Sequence, residues 1–225
     1  MSRLSWIDDD QLEKIVSEML SRAEKAKDKA HKRIKTNVID PFASLVTSAV
    51  VNINNKDQLS RALQDTSAIS ATSNAVGNFH QEILGAIEGF RNHDAGYDLE
   101  CAEKKILAEV KNKHNTMNSS NRENVINKLA TAISQKPSRD WAAYLVIIIP
   151  KKPEPYKKPI PGKRNVYEID GVSFYKLATG SPTALHDLYR AVEKIIIERY
   201  PLINSKDATA LGYCQEALAE AFGTE

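Results

Sequence analysis

The 225-residue chain is 42% hydrophobic and 27% charged, long and apolar enough for one substantial core with an appended subdomain, which excludes disorder throughout. Its 31 Lys and Arg nearly balance 29 Asp and Glu, yet residues 97–165 hold 14 basic against 7 acidic side chains, an excess of +7, while the flanking segments are net acidic. Cys101 and Cys214 lack disulfide or zinc-ligand spacing, no apolar run reaches about 18 residues and the N-terminus is acidic, so a cytoplasmic protein without disulfides, zinc or a membrane span is expected.

Residues 6–35 read as a helix. Asp8, Asp9 and Asp10 supply a cap and suit the positive end of the dipole; Leu12, Ile15, Met19, Ala23, Ala26, Ala30 and Ile34 follow at helical spacing. Its basic end, Lys25 to Lys35, is either a solvated face or a contact for nucleic-acid backbone. Pro41 opens a second helix to about Val51, where its missing amide costs nothing. A third helix spans Asp57 to Asp65, and the small polar run Thr66 to Ser73 reads as a connection. Residues 74–90 form a fourth helix whose apolar stripe is Val76, Phe79, Ile83, Ile87 and Phe90, with Gly77 and Gly85 permitting close approach on another side. His80 lacks a neighbouring His or Cys and reads as a hydrogen-bonded histidine rather than a ligand.

After a polar turn, Arg91 to Gly96, comes a pair of strands. Tyr97 to Cys101 is the first, with Cys101 a small buried hydrophobe. From Lys105 to Lys113 apolar Ile106, Ala108 and Val110 alternate with Lys105, Leu107, Glu109, Lys111 and Lys113, the pattern of a half-buried strand with a core face and a charged face. If the reversal centres on Glu103 and Lys104, paired positions sum to 207 and Asp98 lies opposite Glu109, with Cβ atoms within about 5.5 Å. Two facing carboxylates repel unless a cation sits between them, and a hard ion such as Mg2+ would fill that role. Lys111, on the same face roughly 7 Å along the strand, would hold or deprotonate a water or steady anionic charge. The plainer alternative is a solvated strand face.

Asp98 followed by Glu109-Val110-Lys111 resembles the PD-(D/E)xK nuclease core, although Tyr97 stands where that core often has proline. With Asn37-Val38-Ile39-Asp40-Pro41-Phe42, Gly77-Asn78-Phe79-His80-Gln81-Glu82-Ile83-Leu84-Gly85 and Ala108-Glu109-Val110-Lys111-Asn112-Lys113-His114-Asn115-Thr116, the chain is similar to a family of type II restriction endonucleases acting on GGNCC or GGWCC sites. The likeness is strongest from about Trp6 to Thr116 and fades beyond Pro150. It implies a restriction-endonuclease-like mixed sheet flanked by helices, Mg2+ as cofactor, double-stranded DNA as substrate and a cognate methyltransferase that protects host DNA without direct binding. Glu82, on the preceding helix, would then be a third metal-binding acid, its alternative being a surface glutamate.

Further along, His114 to Asn121 is a polar loop whose Asn115, with Lys113 at the end of the strand before it, could meet DNA, while Ser120 or Asn121 caps a helix from Arg122 to Ser134. Trp141 to Pro150 is apolar and β-branched, as a central strand covered on both faces is, and the strand, helix, strand order favours a parallel crossover. Lys151 to Arg164 holds six basic residues broken by prolines and a glycine, an extended segment serving as a basic arm along DNA or as a linker. Val166 to Leu177 reads as a hairpin turning at Asp170-Gly171. A β-ribbon fits the major groove, which makes Lys163, Arg164, Asn165 and Lys176 candidate readers of G·C pairs. Helices from Pro182 to Arg199 and Ser205 to Phe222 close the chain.

The expectation is an α/β protein forming a single nuclease domain, with a helical N-terminal part (1–73), a catalytic core (74–150) and a C-terminal part of basic arm, hairpin and helices (151–225). It would act as a Mg2+-dependent endonuclease, a homodimer so that two centres meet a two-fold symmetric site. A repair or recombination nuclease of low specificity, and an inactive DNA-binding module, are the alternatives.

Overall fold

The computed structural model describes residues 3–36, 41–93, 95–201 and 210–223. It divides into two compact units, Ser17–Phe79 and the remainder, Met1–Val16 with His80–Glu225. Among the described residues no helix is long and apolar enough to cross a membrane.

Helix α1 (Asp9–Thr36) begins in the larger unit, where the Asp8 carboxylate accepts from the Gln11 amide and Leu12 and Val16 are buried. The smaller unit holds the rest of α1 with α2 (Pro41–Val50) and α3 (Lys56–Val76). Asn55 caps α3 by accepting from the Gln58 amide. The run Thr66–Ser73, expected as a connection, is helical: it contains no glycine or proline, and Ser and Thr are only mildly unfavourable inside a helix.

The expected helix over 74–90 is three pieces. The chain leaves α3 at Gly77, forms the short α4 (Phe79–Gly85) and reaches strand β1 (Phe90–Asn92) through a turn with Gly89 at φ 81°. Phe79, Ile83, Ile87 and Phe90 are nonetheless all buried. Gly85 permits the close approach its spacing suggested, because a Cβ there would stand 2.5 Å from the Asn92 side-chain amide.

Strands β2 (Leu99–Cys101), β3 (Ile106–Lys113), β4 (Ala142–Ile149), β5 (Lys157–Pro159) and β6 (Val166–Asp170) join β1 in one mixed sheet of order β1-β2-β3-β4-β6-β5. The first three are antiparallel, β3, β4 and β6 are parallel, and β5 is an antiparallel edge. β4 is covered on both faces as expected. So is the first half of β3, which corrects the half-buried reading: helix α5 (Ser119–Ser134), the crossover between β3 and β4, packs Val125, Ile126 and Leu129 against Leu107, Leu145 and Ile147. Asn118, rather than Ser120 or Asn121, caps α5 by accepting from the Asn121 amide.

The expected hairpin is a strand followed by a helix. Asp170 ends β6 and caps α6 (Gly171–Thr179), its carboxylate accepting from the Ser173 amide at 2.9 Å. Gly171 is needed for packing and not for a turn, since a Cβ would meet the Ile148 carbonyl oxygen at 2.5 Å. Phe174 and Tyr175, at helical spacing from the cap, are fully buried, and Phe174 packs against Tyr144 on the sheet face opposite α5. Lys151 to Arg164 is extended as expected, but it is no free arm: β5 pairs with β6, and Lys157 lies over the rings of Tyr144 and Tyr167. Helix α7 (Ala184–Arg199) packs on α6, and α8 (Ala210–Phe222) closes the chain with Phe222 edge-on to His186. Residues 205–209 of the expected last helix lie outside the described residues.

Candidate active site

The β2–β3 register decides the geometry. Leu99 pairs with Ala108, Glu100 with Leu107 and Cys101 with Ile106, so paired positions sum to 207, and continuing that register one step beyond β2 brings Asp98 to Glu109, whose charge acts on it. The Asp98 amide donates to the Ala108 carbonyl at 2.9 Å, and its carboxylate accepts from the Val110 amide at 2.7 Å. That contact fixes the Asp98 carboxylate on the β3 backbone beside Glu109. Two residues on, the Lys111 ammonium donates to Glu109 Oε1 at 2.7 Å; their side chains are 25% and 16% exposed, open enough for a ligand yet largely desolvated.

Burial, then the neighbouring Glu109 charge, push the Asp98 carboxyl above its usual value, while the Val110 amide and Lys111 act the other way. The site therefore carries negative charge that a cation would relieve. Among the described residues no three His, Cys, Asp or Glu side chains group as a metal cage, and the half-buried Glu82 in the first turn of α4 does not join Asp98 and Glu109 in such a group. Two carboxylates nevertheless fit Mg2+, which takes one or two carboxylate oxygens and completes its shell with water and substrate phosphate. The donor set is hard oxygen only, unsuited to zinc or copper.

On the same face of β2, Glu100 is buried and receives Tyr97 Oη at 2.5 Å, Lys136 Nζ at 2.9 Å and Arg91 at 3.2 Å, with His93 at 3.2 Å. Burial alone would raise its carboxyl, but the donors outweigh that and hold it at about 2. Tyr97, the departure from the nuclease pattern, thus has a use: its hydroxyl and ring tie Lys136 and Glu100 to the strand that presents Asp98. Sequence reasoning passed over Glu100 and Lys136, which lie 36 positions apart and meet only when α5 has returned the chain. His80 is a hydrogen-bonded neutral histidine as expected: its ring meets the Tyr175 hydroxyl at 2.9 Å, and burial lowers it to about 4.

The remaining candidates are dispersed. Lys113 ends β3 on the Glu109 face, and Asn115 is exposed in the following turn. Lys163, Arg164 and Asn165 form the turn into β6, beside a cavity of about 380 Å³ shared with Lys136, Arg139 and Trp141. Asn165 has φ 54° and donates to the carbonyls of Arg139 and Trp141, so its amide is occupied in holding that turn. Lys176 sits in the last turn of α6, on the far face of the sheet from Glu109, as the hairpin correction requires.

Comparison with known proteins adds an independent line. The sequence model of the Eco47II restriction endonuclease family matches residues 4–200. The chain is 38% identical over 221 residues to the type II restriction enzyme Eco47II of Escherichia coli, covering 88% of this chain and 90% of that protein. It is 27% identical over 235 residues to the type II restriction enzyme Sau96I of Staphylococcus aureus, covering 97% and 89%. Asp98, Glu109 and Lys111 all fall within the matched span.

Proposed function

This chain belongs to the Eco47II restriction endonuclease family and is a type II restriction endodeoxyribonuclease; from that premise we propose that Asp98, Glu109 and Lys111 are its catalytic centre. The cofactor is Mg2+ and the target a short GGNCC-like palindrome in double-stranded DNA. The observation that carries this reading is Asp98 set opposite Glu109, with Lys111 on the same face and bonded to Glu109.

Asp98 and Glu109 would hold the ion, Asp98 oriented by the Val110 amide. When bound, the metal supplies Lewis acidity at a phosphate oxygen and lowers the pKa of a water. Lys111, anchored by Glu109, directs its remaining N–H bonds toward the attacking water or the negative charge developing on the phosphoryl group. In the hydrolysis the water oxygen bonds to phosphorus and gives up a proton to solvent or a base, one P–O ester bond breaks, and the departing sugar oxygen takes a proton from water to leave as a hydroxyl. The basic excess of residues 97–165 draws the polyanion to this acidic centre. Lys113 and Asn115, beside β3, are candidate backbone contacts.

Cutting both strands of a palindrome calls for two centres, hence a homodimer, which sedimentation of the protein with and without DNA tests. The enzyme works in the cytoplasm, where a cognate methyltransferase protects host DNA. Digestion of a long, fully sequenced DNA tests the whole reading. Discrete ends mapping to one G·C-rich palindrome, with Mg2+ only and not with Glu109→Ala, are expected; a smear or metal-independent cleavage would contradict it.

A further inference from the structure

A cavity of about 540 Å³ opens at the carboxyl ends of β3 and β4, where Arg122, Tyr156, Lys158 and Glu168 meet beside Lys151 and Lys152. In register, Glu109 lies beside Leu145 and Leu145 beside Glu168, so the acid of the catalytic strand and the acid of the cavity project from the same face. Two strand spacings separate them, roughly 10 Å. Ile147, on the cavity wall, pairs directly with Lys111. A duplex with a phosphate at Glu109 would therefore bring bases about three steps away over this cavity.

Glu168 is out of place there if the surface only binds phosphate. It lines the cavity with Arg122, Lys151, Lys152 and Lys158 as well as a second acid, Glu154, and against a polyanion a carboxylate costs affinity unless it accepts from a donor there. Its partners explain what it does. Arg122 donates to Glu168 Oε2 at 2.6 Å, and the Tyr156 hydroxyl donates to Oε1 at 3.2 Å. Burial and the Glu168 charge push the Tyr156 hydroxyl up, so it remains a donor. The result is an arginine with a fixed guanidinium beside a fixed carboxylate, 44% and 20% exposed.

The major-groove edge of a G·C pair presents two acceptors on guanine, N7 and O6, and then a donor on cytosine, N4–H2. Arginine donors next to a glutamate acceptor are complementary to that order. An A·T pair presents acceptor, donor, acceptor and a methyl group, which they do not match. Resting on the restriction-enzyme reading above, we infer that Arg122 and Glu168 form a base-reading pair, Arg122 meeting guanine and Glu168 the cytosine opposite, with Lys151, Lys152 and Lys158 on the flanking phosphates.

The test measures kcat/KM of full-length wild type, Arg122→Ala and Glu168→Gln on the cognate duplex and on duplexes with one base pair replaced at each position, and binding against salt. The pair's loss is expected to lower cleavage of the cognate duplex roughly 5- to 150-fold and to relax discrimination at one G·C position of each half-site, the two being related by the palindrome's symmetry, while leaving the other positions strict. Glu168→Gln, isosteric and less disruptive, should relax the same position, and it carries the test if Arg122→Ala does not fold. Unchanged discrimination, or a loss equal at every position with a shallower salt dependence, would overturn the assignment and leave Arg122 a backbone contact. A wild type that yields no discrete fragments would sink the restriction reading itself, a different failure from a wild type that cuts one site with variants of unchanged preference.

Discussion

Asp98 shows how a single residue can be costly to the fold and needed by the site. Its carboxyl is raised in the folded protein by burial and by Glu109, so the folded state holds this proton more tightly than the unfolded chain. The cost is absent in acid and grows as pH rises from the unfolded carboxyl value through the folded one. Asp98→Asn should therefore raise the melting temperature of the metal-free protein at neutral pH, with the advantage disappearing in acid, while abolishing cleavage. Melting curves from pH 3 to 8 check this. Glu100 has the opposite sign. Its folded pKa of about 2 lies below the unfolded value, so its stabilisation is present above the unfolded value and is lost as pH falls toward 2. Glu100→Gln should cost about 2 kcal/mol at neutral pH, the worth of a charged hydrogen-bond set, a cost that shrinks as pH falls toward the folded value and vanishes below it.

Elements differ in how much of them the sequence discloses. The β2–β3 pair was legible because alternation and a short turn fix register together, and a one-residue slip would have turned Glu109 away from Asp98. Asp170-Gly171 misled for a physical reason: aspartate before glycine marks a hairpin turn, but the same aspartate caps a helix and the same glycine lets a helix approach a strand. Phe174, Tyr175 and Ala178, buried at helical spacing from Asp170, were the signal that separates the two. Gly171→Ala, harmless in a turn-free solvated helix, should here cost about 1–3 kcal/mol because the Ile148 backbone must move, and denaturant unfolding measures it. Helix 74–90 failed for a related reason, since its apolar spacing continues across a break at Gly77-Asn78 and into β1.

At the scale of the whole molecule, the parallel crossover from β3 through α5 to β4 brings distant residues to one sheet face. Asp98, Glu109 and Lys111 come from one local hairpin, and for that reason a linear reading could find them. Lys136 joins Glu100, and Glu168 joins Arg122, only through the tertiary fold; charge and spacing along the chain contain no sign of either meeting. The basic excess of residues 97–165 has a consequence for binding. DNA binding should fall steeply with salt, log K against log salt being linear with a negative slope, whereas a protein holding DNA through apolar contacts would show little slope.

Whether the facing carboxylates form a metal site coupled to cleavage is decided by calorimetric titration of Mg2+ into wild type, Asp98→Asn and Glu109→Gln in the presence of uncleavable DNA. Wild type should bind the ion, and each variant should lose that binding together with cleavage of the intact site while keeping salt-sensitive DNA binding. Unchanged metal affinity in both variants would rule out a metal site here and make Asp98 and Glu109 structural residues.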